Sequence, residues 1–136
     1  MPKAVDIRAA LADLPVLKNR RPETPVSKAD AAFAVLAKTR EGGVFAGSFE
    51  GESAWERHCN GDELVQVLEG ETRLTILTDG GPTVLAMKAG MVTVVPKGHW
   101  HKFHAPKGVT VMSMTPQPTE HSTAADPSQE GVPLKS

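Results

Sequence analysis

Between residues 31 and 115, short apolar runs rich in valine, leucine, isoleucine, phenylalanine and threonine alternate with turns. The turns contain glycine, proline, asparagine and aspartate, and successive runs begin roughly 8–12 residues apart. This spacing is typical of an antiparallel β-sandwich or β-barrel. It predicts strands near residues 32–37, 44–49, 54–59, 63–68, 72–77, 83–87, 92–95, 101–104 and 109–115.

A short helix is predicted near the N-terminus, because Ile7, Leu11 and Leu14 recur at helical spacing. Asp6 is placed to cap the first turn, and Pro15 is placed to end the helix. The charged, proline-containing segment that follows lacks such a pattern. We interpret it as a connector between the helix and the strands.

These patterns divide the chain into three segments. Residues 1–30 are predicted to form an N-terminal helical arm and connector, and residues 31–115 a single β-barrel domain. Residues 116–136 contain proline, serine, threonine and glutamate but few apolar side chains, which predicts a flexible C-terminal tail.

Composition narrows the partners expected for this domain. The 136 residues carry a net charge of −1, which provides no field for a phosphate backbone and predicts no nucleic-acid partner. No apolar stretch approaches the roughly 18 residues that span a bilayer, and Asp6 falls where a signal peptide would be apolar. Cys59 is the one cysteine, so no internal disulfide can form. Together these features predict no membrane partner and a cytoplasmic location.

One run near the C-terminal end of the predicted barrel has a distinctive spacing of glycine, proline and histidine. Gly90, Pro96, Gly98 and His101 match the pattern G-x5-P-x-G-x2-H, which resembles the second motif of the cupin superfamily. The asparagine that ends the family motif is replaced by Ala105.

An earlier run resembles the first cupin motif in its second half. His58, Glu63 and Gly70 follow the spacing H-x4-E-x6-G. The position of the first histidine of that motif holds Glu56, and Gly51 lies one residue too close to serve as its opening glycine. The resemblance covers about residues 31–115.

The resemblance implies a small, conserved-barrel (type 2) cupin. Its expected fold is all-β: an antiparallel double-stranded β-helix or jelly-roll barrel, here with a short N-terminal helix and a flexible C-terminal tail. It also implies a homodimer that binds a divalent metal and a small organic molecule inside the barrel.

The metal ligands follow from strand geometry as well as from the motif. Glu56 and His58 are two residues apart on one predicted strand, so they face the same side. After a turn the chain returns antiparallel and can place Glu63 beside His58, while His101 arrives from a later hairpin. Two imidazoles with one or two carboxylates suit Fe, Mn, Ni, Co or Zn. The alternative is a metal-free barrel in which Glu56 bonds a neighbouring Arg or Lys.

Glu56 and His99 are the candidates for acid–base catalysis, since His99 lies in a turn that can line the barrel mouth. Strand alternation directs His104 away from His101, which predicts a surface histidine. His121 falls in the predicted tail and is expected to be solvated.

Three functions remain open at this point. The resemblance favours a metal-dependent enzyme of oxygenase, isomerase or lyase type that acts on a small organic molecule. The alternatives are a non-catalytic cupin that binds or senses a small ligand, and a metal-free structural dimer.

Overall fold

Most of the described chain is strand in this computed structural model, which describes residues 2–129. In chain order the strands are β1 Leu17–Arg20, β2 Phe33–Lys38, β3 Gly42–Glu52, β4 Trp55–His58, β5 Glu63–Thr78, β6 Gly81–Lys88, β7 Val92–Val95, β8 His101–Pro116 and β9 Thr119–Ser122. The helices are α1 Ile7–Leu11 and α2 Val26–Ala31, with a 3₁₀ turn at Pro127–Gln129.

The long strand β8 organises a single curled sheet. It pairs antiparallel with β3 on one side and β5 on the other, so that Met112 lies opposite both Ala46 and Gln66. Strand β2 extends the sheet beyond β3, and β6 and β7 extend it beyond β5. Near the start of β8, Glu56 of β4 pairs with His101, and β4 in turn pairs with β9. This curled sheet agrees with the predicted all-β fold class.

Two pairs of predicted strands are in fact continuous. Residues 63–68 and 72–77 belong to β5, and residues 101–104 and 109–115 belong to β8. Glycines that were predicted to form turns, Gly70 (φ +75°) and Gly108 (φ +94°), instead form bends where the pairing register shifts. The strands bend without ending because each has partners on both sides of the bend, and the bends curl the sheet.

The N-terminal segment contains more regular structure than predicted. The Asp6 carboxylate accepts a hydrogen bond from the Ala9 amide at 3.0 Å, as expected of an N-cap, but α1 ends at Leu11. The predicted connector contains β1, which runs parallel to β3 with Leu17 buried, and it also contains most of α2. The sequence did not predict these elements because each is short and has no repeating pattern of apolar and polar residues.

The predicted tail is also partly ordered. Thr119–Ser122 form β9, which pairs with β4 over its four residues, so the prediction of a flexible tail from residue 116 is wrong for this part. The signal was weak because an edge strand of this length buries little apolar surface. Residues 130–136 of the predicted tail lie outside the described residues.

The apolar core lies on the concave side of the curl. Its members alternate along the central strands: Phe49, Val65, Val67, Leu74, Ile76, Phe103, Val109 and Val111. At the end of the curl where β4 ends and β5 and β8 begin, polar side chains continue this inward row. Within residues 2–129 no helix is long and apolar enough to cross a bilayer.

We predict that Gly70→Ala destabilises the fold by about 2–4 kcal/mol. Gly70 has positive φ, and a β-carbon there would overlap the Gly108 carbonyl oxygen at the paired bend. Gly90→Ala is the matched control, because Gly90 also has positive φ (+91°) but has nothing within 4 Å of the added carbon. The control is expected to cost about 1 kcal/mol in chemical unfolding. Equal costs for both variants would contradict the proposed role of the bend.

Candidate metal centre

Three buried side chains meet at the polar end of the curl: His58 at the end of β4, Glu63 at the start of β5 and His101 at the start of β8. Glu63 Oε1 lies 2.9 Å from His101 Nε2 and 3.4 Å from His58 Nε2. One ligand atom from each residue lies within 4.8 Å of the other two. The structure thus brings together three of the four residues considered as ligands.

The route by which Glu63 reaches the cluster differs from the predicted hairpin. Strand β5 begins after the turn at residues 60–62 but pairs with β7 and β8, whereas β4 pairs with β8 and β9. Glu63 therefore faces His58 across the interior of the curl. It does not lie beside it in a two-stranded ladder.

Contacts on the outer side of each imidazole determine its tautomer. His101 Nδ1 lies 3.1 Å from the backbone oxygen of His99, which can only accept, so Nδ1 carries the hydrogen. His58 Nδ1 lies 3.0 Å from the Thr119 hydroxyl, which donates its hydrogen to Gln117 Oε1 at 3.1 Å. The hydroxyl must therefore accept from His58 Nδ1. In both neutral rings the Nε2 lone pair then faces the cluster.

A hydroxyl pair orients Glu63 in the same way. The Thr115 hydroxyl donates to Glu63 Oε2 at 2.6 Å, and the Ser113 hydroxyl lies 2.8 Å from that of Thr115. This leaves Glu63 Oε1 as the oxygen that faces the two histidines. Thr115 and Thr119 were not identified from sequence, since a threonine that orients a ligand resembles any other strand threonine.

The residues present fit a divalent metal ion. His58 Nε2, Glu63 Oε1 and His101 Nε2 are buried, and none has a hydrogen-bond partner of acceptable geometry among the described residues. Convergent buried polar atoms that lack such hydrogen bonds require an explanation, and a bound cation is one. Donors bonded to one ion at about 2.1 Å lie about 3.0–3.4 Å apart for bond angles of 90–109°, similar to the two contacts of Glu63.

The charges of Glu63 and His101 are strongly coupled. Burial acts to raise the pKa of Glu63, but contacts with His101 and His58 outweigh burial and lower it well below its usual range. Burial likewise acts to lower the pKa of His101, but the Glu63 carboxylate outweighs it and raises that pKa. Each charge therefore favours the other: protonation of His101 offsets the buried negative charge of Glu63.

Glu56 lies in the same cavity but outside the three-residue group. Its Oε2 lies 3.2 Å from His121 Nε2. His121 is solvent-exposed, as expected, but it also lines the outer rim of the cavity, a contact that the sequence did not predict. Burial acts to raise the pKa of Glu56, but His121 and the neighbouring charges outweigh burial and lower it.

The remaining histidines are placed differently. His99 does not line the cavity: its Nδ1 lies 3.2 Å from the Lys97 backbone oxygen, and its own carbonyl positions His101. This placement disfavours His99 as an acid or base. His104 is exposed on the outer face of β8, as strand alternation predicted.

A cavity of about 130 Å³ adjoins the cluster. Its polar side contains Glu56, His58 and Glu63, and its apolar wall includes Phe49 and Phe103. A second cavity, of about 380 Å³, shares Glu56 with the first and lies nearer the surface. We call these the inner and outer cavities.

Comparison with known proteins identifies the family. Residues 48–115 match the family model of the cupin domain, which covers half of the chain. The chain therefore belongs to the cupin family, and the predicted resemblance is confirmed. No curated protein matches the sequence.

Solved structures support the same assignment. A cupin-2 domain containing protein from Shewanella frigidimarina NCIMB 400 is 28% identical, with a TM-score of 0.54 over 62% of this chain and 79% of that chain. A hydroquinone 1,2-dioxygenase in complex with Cd²⁺ and 4-hydroxybenzonitrile is 20% identical, with a TM-score of 0.53 over 62% of this chain and 63% of that one. Oxalate decarboxylase from Bacillus subtilis, which contains Mn(II) centres, is 17% identical, with a TM-score of 0.53 over 57% of this chain and 23% of that one. At these identities the two enzymes share the fold, and this chain spans less than two thirds of either.

We predict opposite pH dependences for the stability of the metal-free and metal-loaded protein. The raised pKa of His101 contributes stability that is complete below its ordinary value of 6.5 and is lost as pH rises through the higher folded value. The lowered pKa of Glu63 contributes stability above 4.5 that is lost as pH falls through the lower folded value. The pair therefore stabilises the metal-free protein most between about pH 4.5 and pH 6.5, the ordinary pKa values of Glu63 and His101. Metal binding needs a neutral His101, so metal-dependent stabilisation should instead increase with pH.

Chemical unfolding from about pH 5 to pH 9, with chelator or with metal, checks this expectation. A single titrating group changes the free energy of unfolding by at most about 1.4 kcal/mol per pH unit. Glu56 also raises the pKa of His121, so His121 adds a pH dependence of the same sign. The measurement is therefore made in a His121→Gln background, which removes that contribution. Adding His101→Gln should then remove the decrease seen in the metal-free protein. An unchanged slope would show that His101 does not hold the proton.

Proposed function

We propose that this cupin is a metal-dependent enzyme that binds a divalent ion through His58, Glu63 and His101. The substrate would be a small polar organic molecule in the inner cavity. The observation that carries this proposal is the convergence of three buried donor atoms without hydrogen-bond partners among the described residues, beside a cavity of about 130 Å³.

The donor set suits Fe, Mn, Ni, Co or Zn, and three protein ligands leave coordination positions open. When bound, such an ion would supply Lewis-acid chemistry and, for a redox-active metal, oxidation chemistry. The Cd²⁺ of one structurally similar enzyme and the Mn(II) of the other support the proposal that a chain of this fold holds a metal. The reaction belongs to the oxygenase, isomerase or lyase types.

The side chains around the cavity have separate tasks in this proposal. Phe49 and Phe103 exclude water from one wall, which strengthens the electrostatic interactions within. Glu56 is the acid–base candidate, since His121 Nε2 beside its Oε2 favours the ionised carboxylate, which is the form that can take a proton from the substrate. Glu56 borders both cavities and so lies on the path between solvent and the cluster.

We also propose that the protein is a homodimer. Three exposed apolar side chains lie close together on the outer face: Val92 (57% exposed), Val94 (50%) and Met114 (45%). Val94 and Met114 both pair with Leu64 of β5, so these residues span three adjacent strands. An apolar sheet face of this kind is typical of a protein–protein contact.

Elemental analysis of untagged protein, expressed anaerobically with added metals, tests the metal site. We expect close to one ion per chain. His101→Ala should weaken binding by at least about 100-fold, because it removes a ligand from a small donor set. His104→Ala, on the exposed face of the same strand, should retain the metal. A wild-type content near zero, or full occupancy in His101→Ala, would refute the assignment.

Light scattering of purified protein tests the dimer. The wild type is expected at twice the mass of one chain, and Val94→Lys should shift it towards the monomer because a charge would be buried at the interface. Val84→Lys is the control, since Val84 is equally exposed (52%) but lies on β6, away from the patch. A monomeric wild type, or an unaffected Val94→Lys dimer, would exclude this face.

A further inference from the structure

Arg20 is the single lysine or arginine among the described residues that line the inner cavity. It also lines the outer cavity, so it lies where the two meet. Arg20 ends β1 and is outside residues 48–115, the region that matches the cupin family. Its role is therefore a property of this chain and does not follow from the shared motif.

The backbone around Arg20 fixes the position of this residue. Asn19 has a left-handed conformation (φ 54°), which is uncommon for a residue with a side chain. Arg20 then pairs with Gly51, where a β-carbon would overlap the Arg20 carbonyl oxygen. The guanidinium carbon lies 4.6 Å from the centroid of Phe49, which is fully buried. Arg20 is thus held over the apolar wall of the cavity.

The N–H donors of the Arg20 guanidinium are not used by the described side chains around it. Among the described residues it forms neither a side-chain hydrogen bond nor an ion pair within 4.0 Å, although Glu56 and Asp30 border the same cavity. Burial lowers the pKa of Arg20, and the charges of Glu56 and Asp30 offset this only in part. A guanidinium carries five N–H donors in a planar fork that matches a carboxylate, so the donors of this half-buried side chain are suited to an anionic ligand.

The volume of the inner cavity limits the size of that ligand. An engineered cavity of about 150 Å³ accommodates benzene, so a cavity of about 130 Å³ accepts about six non-hydrogen atoms. Glu56 and Asp30 disfavour a second negative charge at the rim. A monocarboxylate therefore fits the cavity better than a dicarboxylate.

We propose that Arg20 binds the carboxylate of a small monocarboxylic acid, of about six non-hydrogen atoms or fewer, in the inner cavity. The rest of this molecule extends toward His58, Glu63 and His101. The inference rests on the proposed function, because it takes the cavity beside the metal cluster as the substrate site.

Calorimetric titration of the metal-loaded full chain with acetate, glycolate and pyruvate tests the proposal. Acetamide, the neutral isostere of acetate, is expected to bind at least about tenfold more weakly than acetate. Arg20→Met keeps an unbranched stem over Phe49 but removes the charge, and should weaken carboxylate binding at least about tenfold. Arg20→Lys should recover part of the loss. Lys18→Met, which removes an exposed charge from the same strand, should change nothing.

The outcomes separate this inference from the metal assignment. Metal-loaded wild type that binds none of the three acids, or binds acetamide as tightly as acetate, overturns the carboxylate site and leaves the metal site standing. Carboxylate binding within twofold of wild type in Arg20→Met also overturns it. If Arg20→Met does not fold, the relative affinities of the wild type for acetate and acetamide decide whether the carboxylate site stands. Arg20-dependent binding of pyruvate to a chain that never takes up metal supports the carboxylate site and refutes the proposed metalloenzyme.

Discussion

A buried carboxylate that requires a positive counterpart is the interaction on which this site depends. Glu63 lies at the end of an apolar core, where an isolated negative charge would be very costly. One of its oxygens accepts from Thr115, and the other faces two imidazole nitrogens. A proton on His101 can neutralise this charge, and so can a divalent cation. Protons and a divalent cation would therefore compete for the same donor atoms.

The donor atoms are available because their outer contacts hold them in one orientation. The carbonyl of His99 fixes His101, and Thr119 fixes His58. Thr119 and His121 come from β9, and Arg20 comes from β1. Both strands lie outside the segment that matches the cupin family model. The central barrel thus supplies the three donors, whereas flanking segments supply much of the rim that would distinguish one ligand from another.

Curvature brings these parts together. Strands β5 and β8 each run for 16 residues and bend at Gly70 and Gly108, which lie against one another. Without the bends the sheet would be flatter, and β4 could not place His58 opposite Glu63. Two glycines read as turn residues in the sequence therefore act in the structure as bulges that shape the cavity.

The alternation of apolar side chains between residues 31 and 115 was sufficient to predict an all-β barrel, and the spacing from Gly90 to His101 was sufficient to indicate the family. These signals are local: period-two burial and the backbone requirements of glycine and proline are properties of a few consecutive residues. The tertiary structure decided what depends on distant partners. Strands β1 and β9 have four residues each and exist through pairing with β3 and β4. Thr119 reaches His58 across 61 positions of sequence, a contact that no local pattern encodes.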